Sequence, residues 1–279
     1  MSMNRPQACG RVDVMRLRSW KTTAAICAWG MLLGGCAHDA SGSPARTTAP
    51  QIGDEPAPSP PRFIAEDRVV VIDPGHNGGN AAQSGEINRQ VPDGRGKTKA
   101  CNTTGTSAND GYTEHEFTWD VAIRVRDALA ARGIRVVLTR DDDAGVGPCV
   151  DERAAIGNRS GAAAVVSIHA DGAAAGAHGF HVAYSSPPLN PAQNEPSQRL
   201  ATTLRDTMIG SGFVPSTYVG SDGMNPRADL AGLNLSERPV ALVECGNMRD
   251  PGDAALIESP DGRARYADAI ANAIVAFLG

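Results

Sequence analysis

Three apolar runs in this chain each end in a residue that can ligate a metal or move a proton. Val69–Ile72 leads through Asp73-Pro74-Gly75 into His76, Ala164–Ile168 leads into His169, and Val240–Val243 leads into Glu244. Short runs rich in β-branched residues read as buried strands, and Pro-Gly ends the first of them. Open α/β proteins place their chemistry just past the carboxyl ends of such strands. A lone histidine there is usually a hydrogen-bonded core residue. Two at matching positions on neighbouring strands suit a metal. One carboxylate added to them makes a His2Glu set with a position left for water, the plan of hydrolytic zinc enzymes. The order is not His-Glu-x-x-His, so the zinc helix of thermolysin-type enzymes is excluded.

The carboxylate must come from a helix start or loop on the same rim, and Glu114 and Glu116 both qualify. Thr113-Glu114-His115-Glu116 fits a capping box, with Glu116 folding back on the N–H of its own cap. That occupies Glu116 and leaves Glu114, at the first helical position, to point into the site. His115 competes on chemistry alone. Glu244 has two open readings. It is a general base, taking a proton from water and returning it to a leaving amine, or it is a buried ion pair with Arg140, Arg153 or Arg238. Arg140, Arg153 and Arg227 read more readily as structural ion pairs than as catalytic groups, and His178 and His181 as surface residues.

The elements that position these residues follow from periodicity. Phe117, Val121, Val125 and Leu129 recur every fourth residue and predict a helix over 114–131. Further strands are expected at 134–138 and 180–184, and further helices at 149–159, 195–209 and 266–278. The segment 210–238 is expected to be mostly irregular. Strands alternating with helices imply a single α/β domain, a mostly parallel twisted sheet with helices on both faces and the site at the C-terminal ends of the strands. The long Gly/Asn/Thr-rich segment 77–113 should be functional or pinned, with room for a short hairpin.

Of 279 residues, 41% are hydrophobic, enough for a core, and the net charge of −5 argues against a nucleic-acid binder. The charge is uneven. Residues 1–36 carry five cations against Asp13, a net +4, so the remainder carries −9. That basic start precedes an apolar stretch over 23–35, too short to span a bilayer and laid out like an export signal. Leu33-Gly34-Gly35-Cys36 resembles a lipoprotein signal box, which makes Cys36 a lipidation candidate. The alternative is conventional cleavage near 37–40. The expected organisation is a leader over 1–36, a disordered Pro/Ser/Ala-rich linker over 37–62 and one catalytic domain over 63–279. Cys9 and Cys27 would leave with the leader. In an exported protein Cys101 and Cys149, both in loop-like surroundings, are expected to pair. Cys245 is expected to be an inert thiol, the alternative being a weak competitor for the metal.

Taken together, Val-Ile-Asp-Pro-Gly-His76, the helix-opening Glu114, Leu-Thr-Arg140, Arg153 with Asn158, Val-Ser-Ile-His169-Ala-Asp and Leu-Val-Glu244-Cys-Gly-Asn247 resemble the zinc-dependent N-acetylmuramoyl-L-alanine amidases of the type-3 family. The resemblance runs from about Arg68 to Gly279 and is to short, single-domain, exported forms. It implies one Zn2+ held by His76, Glu114 and His169, with Glu244 catalytic. The implied substrate is peptidoglycan or its muropeptides, cut between N-acetylmuramic acid and the L-alanine of the stem peptide. It departs from the family after Glu244, where the family commonly has Gly-Phe in place of part of Cys245-Gly246-Asn247-Met248. A zinc peptidase acting on cell-wall or other peptides is the alternative activity. A non-catalytic wall-binding lipoprotein is a third reading, and it predicts a lost ligand or base. The protein is expected to be a monomer in the periplasm or cell wall, and it can be anchored to the membrane through Cys36.

Overall fold

The computed structural model describes residues 68–279. The expected leader, Cys36 and the linker over 37–62 lie outside the described residues. The chain runs β1 (Val69–Pro74), α1 (Ser84–Ile87), β2 (Gln90–Pro92), β3 (Thr98–Ala100), α2 (Glu114–Ala130), β4 (Arg135–Leu138), α3 (Val150–Arg159) and β5 (Ala164–Asp171). It continues with β6 (His181–Ser185), α4 (Glu195–Gly210), β7 (Met224–Arg227), α5 (Ala231–Asn234), β8 (Val240–Asn247), α6 (Pro251–Glu258) and α7 (Pro260–Leu278).

One sheet has the order β4-β1-β5-β8-β6-β7. β4, β1, β5 and β8 are parallel neighbours, β6 runs antiparallel to β8, and β7 runs parallel to β6. Alternation along the strands splits the side chains between two faces. Val70, Ile72, Val166, Ile168, Ala241 and Val243 pack with Phe117 of α2, Leu200 of α4 and Ile270 of α7 in the larger core. Val71, Val165, Ala183 and Leu242 face the other way, onto Ile156 of α3 and Leu233 of α5. Helices therefore cover both faces, but the second cover is short. The same alternation puts Asp73, Ser167, His169, Glu244 and His181 on that thinly covered face, beyond its apolar residues.

The segment 210–238 departs from the irregular expectation. It contains β7 and α5, and β7 is a sixth strand at the sheet edge. Pro226 within β7 disguises it, because proline interrupts a central strand but is tolerated at an edge. Helix α6 precedes α7, and α7 begins at Pro260 rather than 266. Each has a side-chain cap, Asp250 accepting from the N–H groups of Gly252 and Asp253 and Ser259 from that of Gly262. The segment 77–113 contains the antiparallel pair β2–β3, and Cys101 is joined to Cys149 at a Cα–Cα distance of 4.4 Å. That bond ties the hairpin to the start of α3.

Candidate metal centre and its cavity

His76 leaves β1 in the left-handed region, at φ 59°. A non-glycine residue there costs about 1–2 kcal/mol, and two arginines hold the turn. Arg153 donates to the carbonyls of Pro74 (2.7 Å) and His76 (2.8 Å) and pairs with Asp73 (2.8 Å). Arg140, 3% exposed, donates to the Pro74 carbonyl and pairs with Asp143. Burial pushes the Asp73 carboxyl up, but Arg153 and the hydroxyls of Thr139 and Ser167 outweigh it and bring the pKa down to about 2. Both arginines are thus structural, as their reading as ion pairs expects, and Arg227 pairs with Asp229.

The His76 imidazole is set by its far nitrogen. Nδ1 lies 3.1 Å from the Thr103 carbonyl, so it carries the proton, and Nε2 faces inward with its lone pair. Thr113 and Glu116 form the capping box of α2, which leaves Glu114 buried and directed at the strand ends. Its Oε2 accepts the N–H of Thr106 (2.9 Å), and its Oε1 accepts that of Ala170 (3.1 Å). Oε1 also lies 3.1 Å from His76 Nε2 and 3.0 Å from His169 Nδ1. The two rings meet edge to face, 5.0 Å apart. Gly75 makes this possible, because a Cβ there would lie 2.3 Å from the His169 ring. His115 turns away to Asp143 at 2.8 Å.

His76, Glu114 and His169 each bring a ligand atom to within 4.8 Å of the others. Among the described residues no other three such groups do so. Two imidazoles and a carboxylate, with His76 and Glu114 held by backbone contacts, match the donor set of an open zinc site. Charge agrees with that fit. Burial raises the Glu114 carboxyl, but His76 and His169 outweigh it and hold it well below the carboxylate range. Burial lowers His76, and Glu114 outweighs that and raises it.

Glu244 is the register partner of His169 across β5 and β8. Its Oε2 is buried without a hydrogen-bond partner, and no ion pair involves it among the described residues. The arginines that the ion-pair reading required are engaged elsewhere, Arg238 on the carbonyls of Ala162 and Gly161. Burial, then the charges of Glu114 and Asp171, hold the Glu244 carboxyl well above its usual range. A cation beside these carboxylates would offset that repulsion. Cys245 is buried and free, and its side chain lies in the larger core, on the opposite face from Glu244. Burial pushes its thiol up, and it has no line to the metal centre.

A cavity of about 480 Å3 joins the His-Glu-His cluster to Glu244 and runs down the sheet face over Leu242 toward Leu233 and Val150. The hairpin contributes Lys99 and Ala100 to its wall. His181 is not at the surface as expected: it is 2% exposed, because β7 closes the far side of β6 and Tyr218 covers the ring. His178 is partly exposed and binds the Gly176 carbonyl.

This sheet carries a possible metal site at its carboxyl rim, and the comparisons give the class of protein. Residues 70–276 match the family model described as N-acetylmuramoyl-L-alanine amidase, and the chain belongs to that family of hydrolases. An N-acetylmuramoyl-L-alanine amidase of Mycobacterium tuberculosis is 52% identical over 210 residues, which cover 75% of this chain and 86% of that protein. The crystal structure of an N-acetylmuramyl-L-alanine amidase from Mycobacterium smegmatis has 55% identity and a TM-score of 0.74, covering 76% of this chain and 97% of that one. An N-acetylmuramoyl-L-alanine amidase of Nostoc punctiforme has 27% identity and a TM-score of 0.57, covering 76% and 97%.

Proposed function

We propose that this chain is a zinc-dependent peptidoglycan amidase that separates N-acetylmuramic acid from the L-alanine of the stem peptide. His76, Glu114 and His169 would hold one Zn2+, and Glu244 is the general base. The observation that carries this reading is the convergence of three ligand atoms beside the buried, unpaired carboxylate of Glu244. Zinc bound there would supply a Lewis acid for the scissile carbonyl and would lower the pKa of water toward about 7.

The remaining work belongs to the chain. Glu244 accepts a proton from the attacking water as its oxygen bonds to the lactyl carbonyl carbon. It then returns that proton to the amine nitrogen as the C–N bond breaks, so the products are a muramic acid carboxylate and a peptide with a free amino terminus. The elevated proton affinity of Glu244 suits both transfers. The two backbone N–H groups on Glu114 and the Thr103 contact on His76 hold the first-formed geometry without reorganisation.

The test is mass spectrometry of muropeptides incubated with metal-loaded protein, chelated protein and Glu244→Ala. Cleavage between muramic acid and L-alanine, lost on chelation and in the variant, is the expected result. Release of free amino acids would instead make it a peptidase.

Domain organisation and location form part of the same reading. A leader over 1–36 and a tether over 37–62 would deliver a catalytic domain over 63–279 to the periplasm or cell wall, where it acts as a monomer. Among the described residues no helix is long and apolar enough to cross a membrane; lipidated Cys36 would be the point of any membrane attachment. Membrane partitioning of the chain and of Cys36→Ser checks this, with release of the variant to the soluble fraction expected.

A further inference from the structure

His181 on β6 is the register partner of Glu244 on β8. Directly paired residues of antiparallel strands point to the same face, with Cβ atoms about 4.5–5.5 Å apart. His169, Glu244 and His181 therefore form one row across β5, β8 and β6. The outer members of that row differ in how they are occupied. His169 meets Glu114. His181 is 2% exposed, and its Nε2 is buried without a hydrogen-bond partner, as is Glu244 Oε2.

The protonation of His181 can be assigned from its other nitrogen. The Asn225 side-chain amide Nδ2 lies 3.4 Å from Nδ1. That amide is a donor, so Nδ1 accepts and Nε2 carries the hydrogen. The carboxylate nearest to Nε2 is that of Asp171, and no Glu244 oxygen lies within 4.0 Å of it. Asp171 Oδ2 is 3.6 Å away, beyond a hydrogen bond, and already takes the Tyr218 hydroxyl at 3.1 Å. The Tyr218 ring packs against the imidazole with centroids 6.2 Å apart and limits its rotation. A second cation is not the explanation, because Asp171, His181 and Glu244 do not bring ligand atoms together as His76, Glu114 and His169 do. What remains is a donor and an acceptor on paired residues, both buried and neither in a hydrogen bond. Hydrogen bonds of this kind are often long in the free enzyme and tighten with substrate bound.

We propose that His181 is a positioning residue for the amidase reaction: its Nε2–H holds the Glu244 carboxylate in the reacting complex, with Asn225 fixing the tautomer. Donation to Oε2 leaves the other oxygen of Glu244 to exchange the proton with water and amine. The inference rests on Glu244 being the general base, so its test must separate the two claims.

His181→Phe keeps the ring volume and removes the donor, whereas His181→Gln keeps an N–H near the Nε2 position. The expected result is a 10- to 100-fold lower kcat in His181→Phe, with KM within twofold, bound metal unchanged and most of the rate restored in His181→Gln. Added to Glu244→Ala, His181→Phe should cost nothing further, because the group it positions is already gone. Ring 15N shifts of His181 in the metal-free protein should report the Nε2–H form. A His181→Phe rate within twofold of the parent, equal losses in the Phe and Gln variants, a multiplicative loss on Glu244→Ala, or an Nδ1–H ring would each overturn the proposal. Undiminished turnover in Glu244→Ala alone would remove Glu244 from the mechanism, a failure distinguishable from the others.

Discussion

Glu244 and His169 stand opposite each other on adjacent parallel strands, β8 and β5, so the proposed base and a proposed metal ligand are set by one backbone register. A one-residue shift of either strand would send that strand's side chain to the other face and part the pair. The arrangement needs no loop to bring Glu244 to His169, and sites built on strands hold their geometry better than sites built on loops.

Glu244→Gln should fold and bind metal like the parent, since it removes a carboxylate that burial already disfavours in its charged form. Its turnover of muropeptide should fall by about 10²–10⁴-fold, the range general acid–base catalysis supplies. Metal analysis beside product mass spectrometry checks both halves. A variant within tenfold of the parent would contradict the assignment.

Gly75→Ala tests the turn that brings β1 against β5. The added methyl would sit 2.3 Å from the His169 ring, so either the ring or the turn must move. Metal affinity should drop by at least about tenfold, as it does when groups that orient a ligand are disturbed. Titration against a competing chelator gives the number. The core on the opposite face is untouched, so the far-UV circular dichroism should be unchanged.

Asp73 links stability to pH through its pair with Arg153. Its folded-state pKa is about 2, against 3.8 without the interaction. A depressed carboxylate stabilises above its unfolded pKa, and that stabilisation is lost as pH falls from about 4 through about 2. The shift is worth on the order of 2 kcal/mol. Denaturant melts of the parent and Asp73→Asn should therefore differ most at pH 5–6 and converge toward pH 2. A gap independent of pH would mean that packing, not charge, carries the effect. Arg153→Met at pH 7 should cost more, about 3–5 kcal/mol, because it leaves Asp73 buried without its cation.

Replacing Cys101 and Cys149 together by serine should lower stability by roughly 2–4 kcal/mol, since the bond closes a loop spanning 48 positions. The hairpin β2–β3 and the start of α3 both line the cavity, so its wall should loosen as well. Amide exchange of residues 90–100 should quicken more than that of β1 or β8. Equal acceleration everywhere would show that the bond acts only on the unfolded chain.

Residue pattern alone carried much of this protein. The runs ending in His76, His169 and Glu244 are apolar enough to be strands in any context, and the Pro-Gly stop and capping box are local signals that need no tertiary partner. The four-residue repeat from Phe117 to Leu129 likewise announces α2 and the face it buries. Helices on both sides of a mostly parallel sheet follow from that alternation, and so does the rim on which the site stands.

Tertiary structure decided the rest. Whether Glu244 was paired depended on where Arg140, Arg153 and Arg238 reached, and those contacts cross 65 to 80 positions of sequence. The strand over 224–227 reads as loop because Pro226 fits a strand only at an edge, and being an edge is a property of the sheet. His181 looks like a surface residue in a Gly- and His-rich stretch. It is buried because β6 lies between β8 and β7 and Tyr218 packs against the ring. Local chemistry can be read from residue order, but which groups are left without partners depends on everything that packs around them.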